Sequence, residues 1–306
     1  MNKVIVIGAN GFLGNKLTQF LFGKGIEVLA FVPKGFDYSN VSSIPGVKCY
    51  EFSFGSLDRI DIKDELKAVD TIYNMAWIGV NAKDRNNEEI QLRNVQCNVE
   101  IVQFVKSNGI KRLIVPGSAS QYACSGRIID GTGCPAPSDL YSAAKVATYF
   151  YCNTICNQSG IELIWPLVTS IYGTGRDDNN LLSYVIKSFL KGERPSTTKL
   201  EQQWDYLHVS DLIRALYLLG EKGKGGRLYP VGSGESMSLK EYVEIIRDLI
   251  NPELPIGIGD LPYKSSRIDN QVMDITLLKE DLGFSPKFSF KEGIQEVISY
   301  FKTQLS

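Results

Sequence analysis

Two side chains in this sequence stand at a spacing suited to proton transfer. Tyr141 and Lys145 are four residues apart at the start of a helical stretch, so they share one helix face. A free phenol has a pKa of about 10 and must fall by about three units, roughly 4 kcal/mol of differential interaction, to exchange protons near neutrality. A neighbouring ammonium favours the phenolate. Ser118, at the end of a strand-like run, offers a hydroxyl to an oxygen that changes between carbonyl and alcohol. A YxxxK spacing also arises wherever a tyrosine packs at a helix start. What lies upstream gives it meaning.

The catalytic reading needs a dinucleotide, and the first turn of structure provides for one. Val4 to Ile7 is an unbroken β-branched run of the kind buried on both faces of a parallel sheet. It leads into Gly8, Gly11 and Gly14, after which Leu13, Leu17, Phe20 and Leu21 repeat at helical spacing up to Gly23 and Gly25. Glycines between a strand and a helix allow a tight turn and a close approach of backbone N–H groups to a diphosphate. Further strands are expected at Val28–Val32, Val47–Phe52, Asp70–Ala76 and Ile110–Val115. Helical segments are expected at Leu57–Ala68 and Glu88–Asn108. Strict alternation of this kind predicts an α/β fold, a doubly wound parallel sheet (Rossmann) whose ligands gather beyond the carboxyl ends of the strands. Gly8, Ala76 and Ser118 all fall there.

The helix beginning at Tyr141 is apolar nearly all round, which predicts cover on two sides and a homodimer. Beyond Pro166 the elements shorten: helices at Leu181–Lys191, Asp211–Gly220 and Ser238–Leu249, and a strand-like run at Glu201–Val209. Residues 1–165 therefore read as the dinucleotide-binding domain, with 204–232 returning to it. Residues 166–306 read as a smaller C-terminal substrate-binding lobe.

Composition narrows the partners. A net charge of −1 over 306 residues gives no field for nucleic acid or an anionic membrane. The first strand begins at residue 3 and no apolar run reaches spanning length, so a cytoplasmic protein is expected. Six scattered cysteines without CxxC pairs suit reduced thiols, with no metal site. About 20 residues past the glycines, where NAD-preferring folds place an acid for the ribose, the chain has Pro33, Lys34 and Gly35. Lys34 suits a 2′-phosphate and leans the expectation to NADP; Asp37 nearby keeps NAD open.

The GxxGxxG corner, Ser118 with Tyr122 four residues on, and YxxxK together resemble the extended short-chain dehydrogenase/reductase family. That family includes nucleotide-sugar epimerases, dehydratases and 4-ketoreductases. The likeness spans nearly the whole chain. Asn94 and Val95 resemble its NV motif, Ile171 to Gly175 its NVYGPG turn, and Asp205 to Asp211 its RDxxxVxD motif. The resemblance implies that Ser118, Tyr141 and Lys145 form the catalytic set. It also implies a cofactor pocket of Gly8, Asn10, Gly11, Phe12, Leu13, Gly14, Lys34, Ser56, Leu57, Met75, Ala76, Asn94, Tyr141, Lys145 and Pro166. A nucleoside-diphosphate sugar then meets Trp77, Ser120, Gln121, Ser170, Asn180, Leu181, Trp204 and Arg267, with Arg176 and Lys264 as further candidates for its diphosphate. The single histidine, His208, reads as structural.

Three departures matter. Family dehydratases follow the catalytic hydroxyl with Asp-Glu, whereas Ala119 and Ser120 follow Ser118 here, so elimination of water is not expected. Trp204 replaces the usual arginine of RDxxxVxD, and Ser170 replaces the asparagine of NVYGPG. The expected activity is an NADPH-dependent reduction of a nucleotide-linked 4-keto-6-deoxyhexose. Its alternatives are an NAD-dependent 4-epimerase and a non-catalytic dinucleotide-sensing protein.

Overall fold

Val4, Ile5, Val6 and Ile7 are fully shielded from solvent, as a strand flanked by neighbours and covered on both faces must be. This strand is the middle of the sheet. The computed structural model describes residues 1–55, 57, 62–125, 128–175, 180–263 and 270–305. In chain order its elements begin β1 (Lys3–Ile7), α1 (Phe12–Gly23), β2 (Glu27–Pro33), α2 (Ser39–Ser42), β3 (Lys48–Phe52), α3 (Lys63–Leu66) and β4 (Thr71–Asn74). They continue with α4 (Glu88–Ser107), β5 (Arg112–Ile114), β6 (Gly117–Ser118), a 3-10 turn (Ala119–Ser125), α5 (Leu140–Ser159), β7 (Glu162–Val168) and β8 (Ser170–Tyr172). The last part holds α6 (Leu181–Leu190), β9 (Gln203–Trp204), β10 (Tyr206–His208), α7 (Val209–Lys222), β11 (Arg227–Val231), β12 (Met237–Ser238), α8 (Leu239–Ile250), α9 (Thr276–Leu282) and α10 (Phe290–Leu305).

The main sheet runs β11-β7-β5-β4-β1-β2-β3, with β6 continuing beside β7, and all its neighbours are parallel. Winding goes outward from β1 through β2 to β3, then returns to β4 and goes outward the other way. Right-handed crossovers in opposite directions put their helices on opposite faces. α1 packs with α7 and α4 with α5 accordingly. The reversal opens a crevice between the carboxyl ends of β1 and β4.

The polypeptide does not divide cleanly at residue 165. A boundary there falls inside β7, whose Ile164 and Trp165 belong to the main core. β11 pairs with β7 over Arg227–Val231, and Met273, Ile275, Leu278, Leu282 and Phe284 also pack into the main core. The separate second core gathers Tyr172, Leu182, Val185, Phe189, Tyr242, Val243, Phe290, Ile294 and Phe301 around α6, α8 and α10. Across residues 57–68 the described helical positions are Leu57, in a 3-10 turn, and the four-residue α3; residues 58–61 lie outside those described.

Candidate active site

The glycine corner is built from contacts that a side chain would spoil. Gly8 has φ +77°, and a Cβ there would lie 2.8 Å from the Ala76 backbone. A Cβ on Gly14 would lie 2.1 Å from the Gly8 carbonyl oxygen, so the first turn of α1 can sit on the strand end only without one. Gly11 is different. Its φ of −72° suits any residue, and a Cβ would meet only the Gly8 oxygen, at 3.4 Å. Neither backbone nor packing requires that glycine, and its exposed backbone is open to close approach by a ligand. With no side-chain cap and no acid in the first turn of α1, the cradle fits a dinucleotide diphosphate. Asn10 braces it, donating from Nδ2 to the Asp37 carbonyl at 3.2 Å and receiving Asn40 Nδ2 at 3.1 Å. Phe12 and Leu13 lie half-buried against the main core.

At the end of β2, Lys34 is exposed, and its backbone N–H donates to Phe52. Asp37 turns its carboxylate onto Ser39, accepting the backbone N–H at 2.9 Å and the hydroxyl at 3.1 Å. Those bonds hold Asp37 below the usual carboxylate range.

Beyond β4 a run of buried amides fixes the crevice wall. Asn74 Oδ1 accepts the Ala76 N–H at 3.1 Å, and its Nδ2 donates to Asn98 at 2.8 Å. Asn94 bonds Ile78 in both directions, at 3.0 and 2.8 Å. Gln91 holds the Gly79 and Asp84 carbonyls at 3.0 and 3.1 Å and receives Trp77 Nε1 at 3.2 Å. Asn94 therefore serves by shaping the loop that carries Met75, Ala76 and Trp77. Asn74, Gln91 and Asn98 were not anticipated, although an amide at every third or fourth position of an otherwise apolar helix face was a visible signal.

Tyr141 and Lys145 come together as the spacing predicts, on the first turns of α5. Asp139 starts that helix, its Oδ1 accepting the Ser142 N–H at 2.8 Å in a capping box. The Lys145 Nζ lies 5.9 Å from the centre of the Tyr141 ring. It donates to the Pro116 carbonyl at 2.7 Å and sits 3.6 Å from the centre of the Trp77 ring. Trp77 meets Tyr141 edge-on at 5.8 Å, so the indole stands against both catalytic candidates. Burial pushes the Lys145 ammonium down to about 7. Tyr141 is half-exposed at the crevice. Arg85, also unanticipated, lays its guanidinium 4.3 Å from the centre of the Tyr141 ring.

Ser118 ends β6, two residues after the carbonyl that holds Lys145. Its Oγ lies 2.9 Å from that of Ser120. Gln121 does not face a pocket. It is 1% exposed, and its Oε1 accepts both the Ser118 N–H at 3.0 Å and Trp165 Nε1 at 3.2 Å. This locks the strand end that presents Ser118. Two expected cofactor contacts also turn inward. Leu57 buries its side chain in the main core while its N–H reaches Glu100. Pro166 lies buried within β7, in register with Tyr229.

In the second lobe, the two residues that replace expected ones bond each other: Trp204 Nε1 donates to Ser170 Oγ at 2.9 Å, and Ser170 reaches Gln271 at 3.3 Å. Asn180 caps α6, its Oδ1 accepting the Ser183 N–H at 3.0 Å, with Leu181 next to it. Asp205 and Asp211 are struts. Asp205 accepts the N–H groups of Ser233 and Gly234, and Asp211 those of Lys287 and Phe288. His208 is buried between Phe288 and Tyr172. Its Nε2 lies 3.2 Å from a Glu296 oxygen without hydrogen-bond geometry, and burial lowers its pKa, so it stays neutral and structural. Ser56, Arg176, Lys264 and Arg267 lie outside the described residues. Among those described, no helix is long and apolar enough to cross a membrane.

The arrangement sets a glycine corner next to a tyrosine, a lysine and a serine. A model of the NAD dependent epimerase/dehydratase family matches residues 4–232, and the chain belongs to that family. The dTDP-4-dehydro-6-deoxyglucose reductase of Escherichia coli is 24% identical over 315 residues, covering 97% of this chain and 96% of the relative. Two solved structures share the fold. One is a UDP-glucose 4-epimerase with UDP-glucose from Thermotoga maritima, with a TM-score of 0.85, 20% identity and coverage of 99% of this chain and 100% of that one. The other is a dTDP-glucose 4,6-dehydratase from Bacillus anthracis in complex with NAD, with a TM-score of 0.84, 19% identity and coverage of 99% and 97%. Three similar chains thus carry three different activities.

Proposed function

We propose that this chain is an NADPH-dependent reductase of a nucleoside-diphosphate 4-keto-6-deoxyhexose, acting in the cytoplasm. The observation that carries the choice lies at the end of β2: Lys34 and Asp37 are both exposed, but Asp37 commits its carboxylate to Ser39. That pattern favours a 2′-phosphate over a bare ribose hydroxyl. Ala119 and Ser120, where a dehydratase of the family has its acid and base, speak against elimination.

The dinucleotide, when bound, supplies hydride to the carbonyl carbon. Tyr141 donates its phenolic proton to the carbonyl oxygen, giving the alcohol, and recovers a proton from solvent. Ser118 hydrogen-bonds the same oxygen, held in place by Gln121 beneath it. In its protonated form Lys145 places positive charge beside the phenol and favours the ionised phenol. The Trp204–Ser170 pair supports a sugar-nucleotide pocket that differs from the usual one in its polar contacts. Leu92 on α4 and Phe150 and Tyr151 on α5 are more than half exposed, which supports a homodimer through those two packed helices.

The test is NADPH oxidation, with NADH alongside, against 4-keto-6-deoxy sugars linked to dTDP, CDP and GDP. Tyr141→Phe should lower turnover about 10²- to 10⁴-fold; turnover within a few-fold of the parent would remove Tyr141 as proton donor. The T. maritima epimerase has a closely similar fold, and a 4-epimerase is the second reading. It predicts protein that purifies with nucleotide bound and needs none added.

A further inference from the structure

A second cation meets the phenol of Tyr141 from outside its own helix. Arg85 lies on the loop between β4 and α4, with its guanidinium carbon 4.3 Å from the ring centre. The loop is tied down around it. The Arg85 carbonyl accepts the Tyr141 N–H at 2.9 Å, Asn86 Oδ1 accepts the Leu140 N–H at 3.1 Å, and Gln91 holds the Asp84 carbonyl. Arg85 Nε donates to Asp139 Oδ2 at 2.6 Å, and the two side chains are only 30% and 17% exposed.

Deprotonated tyrosine spreads its charge over the ring, so a cation against the ring face stabilises that form more than the neutral phenol. Asp139 opposes this. Burial would raise its pKa, but bonds from Arg85 and Ser142 keep it below the usual range, so it is a carboxylate at neutral pH. Lys145, on the same helix, lies 5.9 Å from the ring centre, but burial holds its pKa down to about 7, so it is largely neutral where a phenol titrates. Asp84 is the other acid on the loop, Glu88 and Glu89 stand in the first turn of α4, and residues 118–121 bring only hydroxyl and amide groups.

We propose that Arg85 is a positioning residue. It holds the Tyr141 ring at the crevice and makes the phenolate easier to reach, with Asp139 tempering its charge. This rests on the reading of Tyr141 as proton donor. It sets the pH range of the reaction by acting through Tyr141.

The experiment is an ultraviolet titration of tyrosinate in dinucleotide-free protein. Each trace is taken as the difference from the same protein carrying Tyr141→Phe, so that one phenol is read without substrate. Arg85→Gln should raise the midpoint by about one pH unit, and Arg85→Lys should recover at least half of that shift. Asp139→Asn, which keeps a competent helix cap, should lower the midpoint. The pH dependence of kcat/KM should move in the same directions. Shifts of Arg85→Gln and Asp139→Asn in the same direction, or both within about 0.2 unit of the parent, would overturn the proposal. Lost activity with an unmoved midpoint would reduce Arg85 to a loop anchor. If Arg85→Gln fails to fold, a lowered midpoint in Asp139→Asn supports the proposal and an unmoved one sinks it. A midpoint that follows Arg85 while Tyr141→Phe stays active would reject the proton-donor reading alone.

Discussion

Lys145→Met turns the buried ammonium into a measurable stability difference. Lys145 is 5% exposed, and burial lowers its pKa from an ordinary 10.5 to about 7. Above pH 10.5 the group is neutral in both folded and unfolded chains and carries no penalty. As the pH falls from 10.5 towards 7, the unfolded chain takes up the proton while the folded chain resists, so the penalty grows. Below 7 it is complete and constant. Stability conferred by the parent side chain therefore rises with pH across that window, by about 1.4 kcal/mol per unit and on the order of 4 to 5 kcal/mol in all. Methionine has no such dependence. It loses the bond to Pro116, a cost of about 1–3 kcal/mol. In urea unfolding of the dinucleotide-free proteins from about pH 6.5 to about pH 10, the variant should equal or exceed the parent near neutrality. It should fall behind as the pH rises. Parallel stability curves would mean that the ammonium is solvated, and would refute the buried placement of Lys145.

Two further outcomes test the cradle and the assembly. Gly14→Ala should cost about 1–3 kcal/mol or more through overlap with the Gly8 carbonyl, seen as a lowered thermal midpoint. Gly11→Ala should leave that midpoint nearly unchanged while weakening dinucleotide binding about tenfold or more, about 1.4 kcal/mol; equal binding in a cofactor titration would remove the ligand-approach account of Gly11. For the dimer, light scattering should give twice the chain mass, and Tyr151→Glu on α5 should bring it to one; a monomeric parent would refute the interface.

Most of the sheet was legible because its strands announce themselves by chemistry. Val4–Ile7, which runs into Gly8, and Val28–Val32, between Gly25 and Gly35, are β-branched or apolar runs, and such runs are stable mainly as buried parallel strands. The hidden strands were β7 and β11, each with a proline inside, which ordinarily argues against a strand. The structure shows why both are tolerated. Pro230 lies on the edge strand β11. Pro166 falls between the β7 residues paired with β5 and with β6, at Ile164 and Leu167, where that side of the ladder is broken. α10 is legible in the sequence, since Phe290, Ile294, Val297, Ile298 and Phe301 carry its buried stripe. At the site, Tyr141 and Lys145 could be placed together because helix geometry fixes their relation. Arg85 and Trp77 could not, because a loop between β4 and α4 brings them to α5 from more than 50 residues away. Gln121 misled for a similar reason: its position suggests a pocket, whereas its amide is consumed by Ser118 and Trp165.

The break between β5 and β6 has a bearing on the chemistry. Strand ladders occupy every carbonyl on their edge, and a continuous strand through residues 115 and 116 would turn the Pro116 oxygen towards a neighbour. The interruption frees that oxygen from the ladder to accept from Lys145 Nζ instead, and proline, lacking an N–H, discourages the strand from closing over it. The lysine's anchor is thus a rung removed from the scaffold. Variation that regularised this sheet would strengthen the framework and set the ammonium adrift.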